Sequence, residues 1–123
     1  GGPAMNGLYA TMTTQHPYLD EASQPIRFWA NKYKTKFNED PTVFSVYGYN
    51  AIDIFARAAG QTGANLTTDG FVKAMDSMTI PPDIFGSPEL RFGPQRRYGS
   101  MAMRLSQIQD GRWKVVYDYA QMK

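Results

Sequence analysis

Few side chains here could make or break a bond, and their spacing argues against it. The only histidine, His16, lies in the polar run Gln15 to Asp20 beside Pro17, with no cysteine anywhere. A lone imidazole on a loop is expected to be solvated, because a metal site needs several ligands and a proton relay needs a partner. G-x-S-x-G, H-E-x-x-H, the phosphate-binding loop and G-x-G-x-x-G are all absent. Asp20-Glu21 and Glu39-Asp40 fall at expected helix ends, where acidic residues often cap. No catalytic residue, metal ligand or cofactor is therefore expected, and no enzyme. What remains is recognition by surface. Phe44, Tyr47 and Tyr49 crowd one short stretch. Such rings either pack a helix start into the core or face a cleft and receive an apolar solute.

Arginines are the other concentrated chemistry. Arg91, Arg96, Arg97, Arg104 and Arg112 make the last third basic, which raises the question of phosphate contacts. No base-reading motif accompanies them, and they are spread along strands whose side chains alternate in direction. A net charge of +2 is also too small to imply a nucleic-acid or membrane partner.

The aromatic stretch opens the helix around which the chain is organised, Val43 to Gly60. Phe44, Tyr47, Ala51, Ile54, Phe55 and Ala58 recur with helical period and predict its buried stripe. Thr42 is the expected N-cap and Gly60 the expected C-terminal glycine. Before it, Asn6-Gly7 leads into a strand over Leu8 to Thr13. A helix is then predicted from Ser23 to Phe37, with Pro25 in its first turn and Ile26, Trp29, Ala30, Tyr33 and Phe37 as its apolar stripe. Lys32, Lys34 and Lys36 stand off that stripe, and Asn38 to Pro41 makes a tight link. Gln61 to Asn65 reads as a loop, and Thr67 or Thr68 caps a third helix whose buried face is Phe71, Val72, Met75 and Met78.

From Ile80 onward Pro81-Pro82, Gly86, Pro88, Gly93-Pro94 and Gly99 exclude helix and predict short strands with turns. Asp110-Gly111 splits Met101 to Tyr119 into a type I′ hairpin. A two-residue turn sets Ile108 opposite Trp113 and Leu105 opposite Val116, on opposite faces. Either both faces are partly covered or a bulge near Ser106 to Gln107 corrects the register.

With 42% hydrophobic and 20% charged residues, the 123-residue chain has the composition of one globular unit. The absence of cysteine rules out a disulfide framework. No apolar run reaches the roughly 18 residues of a membrane span. No basic segment followed by an apolar one marks a signal peptide. Gly1-Gly2-Pro3 reads as a cut end more than a natural beginning.

Six segments in order carry a resemblance. They are G-L-Y-A-T-M-T-T, F-W-A-N-K-Y-K-T-K-F-N-E-D-P, S-V-Y-G-Y-N-A-I-D-I-F-A-R-A-A, T-T-D-G-F-V-K-A-M, F-G-S-P-E-L-R-F-G-P-Q-R-R-Y-G and Q-I-Q-D-G-R-W-K-V-V. Together they resemble the C-terminal third of a type I periplasmic substrate-binding protein, in the branched-chain amino acid (Leu/Ile/Val-binding) family of ABC transporter receptors. The resemblance implies an α/β fragment of a two-lobe fold: a short strand, three helices and a C-terminal antiparallel hairpin. Residues 7–14 would form a strand near a crossover, 20–80 the helical layer of one lobe, and 81–123 a β segment returning to the other. It also implies a periplasmic receptor for an amino acid or small organic acid, delivering it to a membrane permease. The alternative of the same fold is the ligand-sensing domain of a signalling receptor. Phe44 would touch ligand, with Tyr47 next, and the groups gripping the ligand's charges would lie upstream. The family's usual G-D-R is replaced here by Gly93 to Arg97, expected to be a surface turn. A split lobe would also expose apolar surface and promote self-association.

Overall fold

The computed structural model describes residues 2–64 and 66–121. The cut-end reading at Gly1 and the loop assignment of Asn65 lie outside the described residues. After a 3-10 turn at Gly2–Met5 come β1 (Tyr9–Met12), α1 (Gln24–Phe37), α2 (Val43–Thr62) and α3 (Thr68–Ser77). The short strands β2 (Thr79–Ile80) and β3 (Leu90–Arg91) follow, then the long β4 (Ala102–Gln109) and β5 (Arg112–Gln121). One antiparallel sheet has the order β1-β4-β5, and β2 pairs with β3. The most extensive packing runs within these groups: β4 on β5, β1 on β4, α2 on α3, β2 on β3.

Helix α1 follows its expected form. Pro25 sits in the first turn, Ile26 and Ala30 are buried, and Asn38 closes the helix in the left-handed region at φ 55°. Phe37 departs from the stripe and is exposed.

Helix α2 needs two corrections. Gly60 does not end it: the helix continues through Gln61 and Thr62 and stops at Gly63, at φ 70° and ψ −150°. That conformation is close to glycine-only. Nothing lies within 4 Å of a Cβ built at Gly60. Gly60→Ala should therefore stabilise the chain by about 0.5–1 kcal/mol, and Gly63→Ala should destabilise it by about 1–3 kcal/mol. Urea melts of the two variants should move in opposite directions. The second correction concerns the stripe. Val46 and Ala58 are the buried residues, while Phe44, Tyr47 and Phe55 remain exposed.

In α3 the Thr67 hydroxyl accepts the Gly70 amide at 3.1 Å, and Asp69 lies in the first turn. Its expected buried face is corrected too. Only Ala74 is fully buried, Phe71, Met75 and Met78 are half-buried, and Val72 is exposed. α3 packs chiefly on α2, with Phe71 against Phe55 at 5.2 Å. One helical neighbour covers only a narrow strip.

The hairpin turns at Asp110 (φ 53°) and Gly111 (φ 74°), both in the left-handed region that a type I′ turn requires. Ile108 faces Trp113 as expected, but Leu105 faces Tyr117 because the register shifts between Leu105 and Ser106. The bulge thus lies one step from its expected place. Gly93 and Arg96 exchange both backbone hydrogen bonds at 2.9 Å, so the stretch Gly93 to Arg97 is the expected turn.

The core is small: Ile26, Val46 and Phe85, with Trp29 packed against them. Phe85 meets the rings of Trp29 and Tyr49 edge-on at 4.9 and 6.1 Å. The Asp83 carboxylate holds its loop, with one oxygen accepting the Phe85 and Ser87 amides at 2.9 and 3.0 Å.

Candidate functional site

The first turn of α2 is anchored on one side only. The Thr42 amide donates to Ser45 Oγ at 3.1 Å, and Val46 is driven fully into the core. With Val46 inward, Phe44 and Tyr47 are left 76% and 40% exposed, their rings edge-to-face at 5.9 Å. Tyr49 turns the other way and meets Trp29 at 5.6 Å. The aromatic cluster seen in sequence therefore divides. Tyr49 touches the core rings Trp29 and Phe85 while remaining 50% exposed, and Phe44 and Tyr47 form a separate exposed pair.

Tyr47 also lines a cleft of about 380 Å³ between α2, the loop after β2 and the start of β4. Phe44 is not among its lining residues. The cleft mixes apolar walls (Ala51, Ile54, Pro82) with polar groups (Thr13, Asn50, Asp83, Ser87, Ser100). Asn50 Nδ2 donates to the second Asp83 oxygen at 2.7 Å, and Arg57 pairs with Asp53 at 2.6 Å. The charges of the cleft are thus already engaged within the chain. It offers a ligand an aromatic and amide surface and no free ion. Asn50, Asp83 and Ser87 were missed in the sequence. The only signal for them is Pro81-Pro82-Asp83, which marks a side-chain-capped turn.

One sequence expectation about charge is corrected. His16 is half-buried, stacked on Tyr18 at 4.3 Å in a second, polar cleft that also contains Glu21, Arg112 and Trp113. Burial, and then the Arg112 charge, hold its pKa below the ordinary 6.5. A depressed histidine pKa favours the neutral form in the fold. The stability it contributes is complete above 6.5 and is lost as the pH falls through the lower folded value. Thermal melts should show this acid decline, and His16→Gln should remove the part that begins below an ordinary histidine pKa. Of the five arginines that make the last third basic, Arg104 is buried, only 6% exposed. Three of the other arginines are paired with carboxylates: Arg91 with Glu89, Arg97 with Asp76, and Arg112 through both nitrogens with Asp20.

The profile of the periplasmic binding protein family matches residues 1–112. This chain belongs to the periplasmic binding protein family. A search of curated proteins found no significant match. Solved structures share the fold of this periplasmic binding protein chain. A solute-binding protein of an ABC transporter from Rhodopseudomonas palustris BisB5, in complex with 3,4-dihydroxybenzoic acid, is 20% identical with a TM-score of 0.73. The match covers 98% of this chain and 32% of that one. A branched-chain amino acid ABC transporter protein from Thermus thermophilus with bound valine is 18% identical, TM-score 0.73, over 98% and 35% of the two chains. A fatty acid ABC transporter substrate-binding protein from Thermomonospora curvata is 18% identical, TM-score 0.71, over 94% and 30%. The periplasmic binding protein chain therefore spans about a third of the length of these structures. Their likeness bears out the expected α/β fragment and the resemblance to the branched-chain amino acid receptors.

Proposed function

We propose that this chain is part of the solute-binding component of an ABC transporter, receiving an amino acid or small organic carboxylate and presenting it to a membrane permease in the periplasm. Phe44 and Tyr47 form one wall of its ligand site. The observation that carries this reading is the outward pair itself: two large rings stand exposed at the start of α2, one of them beside a cleft with no unengaged charge. Family membership and neighbours described as complexes with valine and an aromatic acid support the same class. In this arrangement residues 7–14 lie near a crossover, 20–80 form the helical layer of one lobe, and 81–123 return to the other. The chain has no catalytic role in this reading.

A wall is not a site. Burying the two rings contributes about 3–6 kcal/mol before the association cost of about 4 kcal/mol or more is subtracted, whereas micromolar affinity requires about 8 kcal/mol net. Calorimetry with amino acids and aromatic acids should therefore show no binding to the 123-residue chain and clear binding to the full-length gene product. Binding by the short chain alone would mean a self-contained site and would overturn the layout. Because Tyr9, Val115, Val116 and Tyr117 are exposed on the outer strands β1 and β5, light scattering should also find the short chain self-associated.

A further inference from the structure

A groove of about 620 Å³ lies apart from the cleft beside Tyr47, and neither Phe44 nor Tyr47 lines it. Its residues on α1 run from Pro25 to Phe37, roughly 18 Å at the rise of an α-helix. The start of α2 and the loop after β2 contribute Tyr49 and Ile84. The groove is aromatic and held in shape by the core. Trp29, Tyr33 and Phe37 stand at i, i+4 and i+8, with ring centroids 5.5 and 4.6 Å apart. Trp29 in turn meets Tyr49 and the buried Phe85 edge-on at 5.6 and 4.9 Å. Phe28, Phe37, Tyr49 and Ile84 nevertheless remain exposed. Contiguous apolar surface of this kind marks an interaction site, and a floor already braced costs a partner little ordering.

Charge decides what the groove suits. Lys32 and Lys36, one helical turn apart, are its only ionised lining residues, and no carboxylate faces it. Lys34, which does not line the groove, is paired with Asp40 at 2.9 Å. Lys32 and Lys36 have no ion pair among the described residues. The Lys36 ammonium lies 5.4 Å from the centre of the Phe37 ring, at the edge of the apolar floor. An aromatic centre with a cationic rim is the anatomy of a contact between molecules. Its length exceeds a single amino acid or aromatic acid and matches about three turns of helix. A second copy in twofold contact would set Lys32 and Lys36 against their own counterparts, which disfavours that occupant.

We propose that this groove docks an acidic amphipathic helix from a partner protein. The apolar stripe of that helix rests on Phe28, Trp29 and Tyr49, and carboxylates at i, i+4 meet Lys32 and Lys36. The groove shares no residue with the Phe44–Tyr47 wall, so Phe44→Ala should leave helix docking unchanged, and a failed solute test would not bear on it.

Fluorescence anisotropy with labelled acidic peptides of about 15 residues, carrying Leu or Phe at helical spacing and Glu pairs at i, i+4, reads the docking directly. The 123-residue chain and the full-length gene product should both bind them. Lys32→Glu combined with Lys36→Glu should weaken binding roughly tenfold. The same peptides with Lys in place of Glu should bind that double variant and not the parent chain. Phe28→Ala should weaken docking to a similar degree with unchanged helical circular dichroism. Binding by neither protein would overturn the proposal, as would binding indifferent to the charge exchange and to Phe28. Binding by the short chain but not by the full-length product would show that upstream sequence covers the groove. Self-association of the short chain that Phe28→Ala abolishes would show that a second copy covers it. Either result would overturn the partner helix.

Discussion

Phe85→Ala should cost the fold about 3–5 kcal/mol, the range for truncating a fully buried aromatic ring in a tight core. Phe85 has no exposed surface and is the piece that the loop after β2 contributes to the cluster of Ile26, Val46 and Trp29. The cavity cannot refill easily. Trp29 and Tyr49 meet the ring edge-on, and the Asp83 carboxylate fixes the backbone on either side. A loss of that size is a large share of the roughly 5–15 kcal/mol that stabilises a domain. Urea unfolding should show it directly. Phe28→Ala is the control: Phe28 is 70% exposed, and its removal should change stability by less than about 0.5 kcal/mol. Equal effects at the two positions would mean that the core lies elsewhere.

Phe44→Ala should act on binding instead of folding. Phe44 touches Tyr47 but is largely exposed, so its loss should leave the melting curve of the chain nearly unmoved. In the full-length gene product the same change removes one wall of the proposed ligand site. The solute should bind roughly 10- to 100-fold more weakly, the equivalent of about 1.5–3 kcal/mol of lost apolar contact. Tyr47→Phe should have a smaller effect, because the ring beside the cleft is kept. Titration calorimetry on the three proteins gives the ranking. A Phe44→Ala receptor with unchanged affinity would exclude the ring from the site.

Much of the fold can be read from local signals that do not depend on distant partners. Pro25 and Asn38 bound α1, Thr67 caps α3, and Asp110-Gly111 forces the hairpin, because each acts through its own backbone. The stripe on α2 is less legible for a physical reason. Periodicity reports which side chains favour burial, not whether this stretch of chain supplies the surface that buries them. Phe44, Tyr47 and Phe55 satisfy the pattern and remain exposed, while Val46 and Ala58 meet the core. Gly60 misled because a glycine is tolerated inside a helix at modest cost, and only Gly63 has the dihedral angles that end one. Arg104 could not be separated from the other arginines, since burial of a guanidinium depends on Gly86 and Tyr119, far away in sequence. Phe44 and Tyr47 were legible as candidates because large rings crowd the start of α2. Asn50 and Asp83 were not, because their bond spans 33 residues.

The most direct test is a crystal structure of the full-length gene product with whichever amino acid or aromatic acid it binds. The ring of Phe44 should lie within about 4.5 Å of the ligand, with Tyr47 beside it. A ligand seated away from both rings would contradict the proposed wall, and a full-length product that binds neither class of solute would contradict the receptor reading.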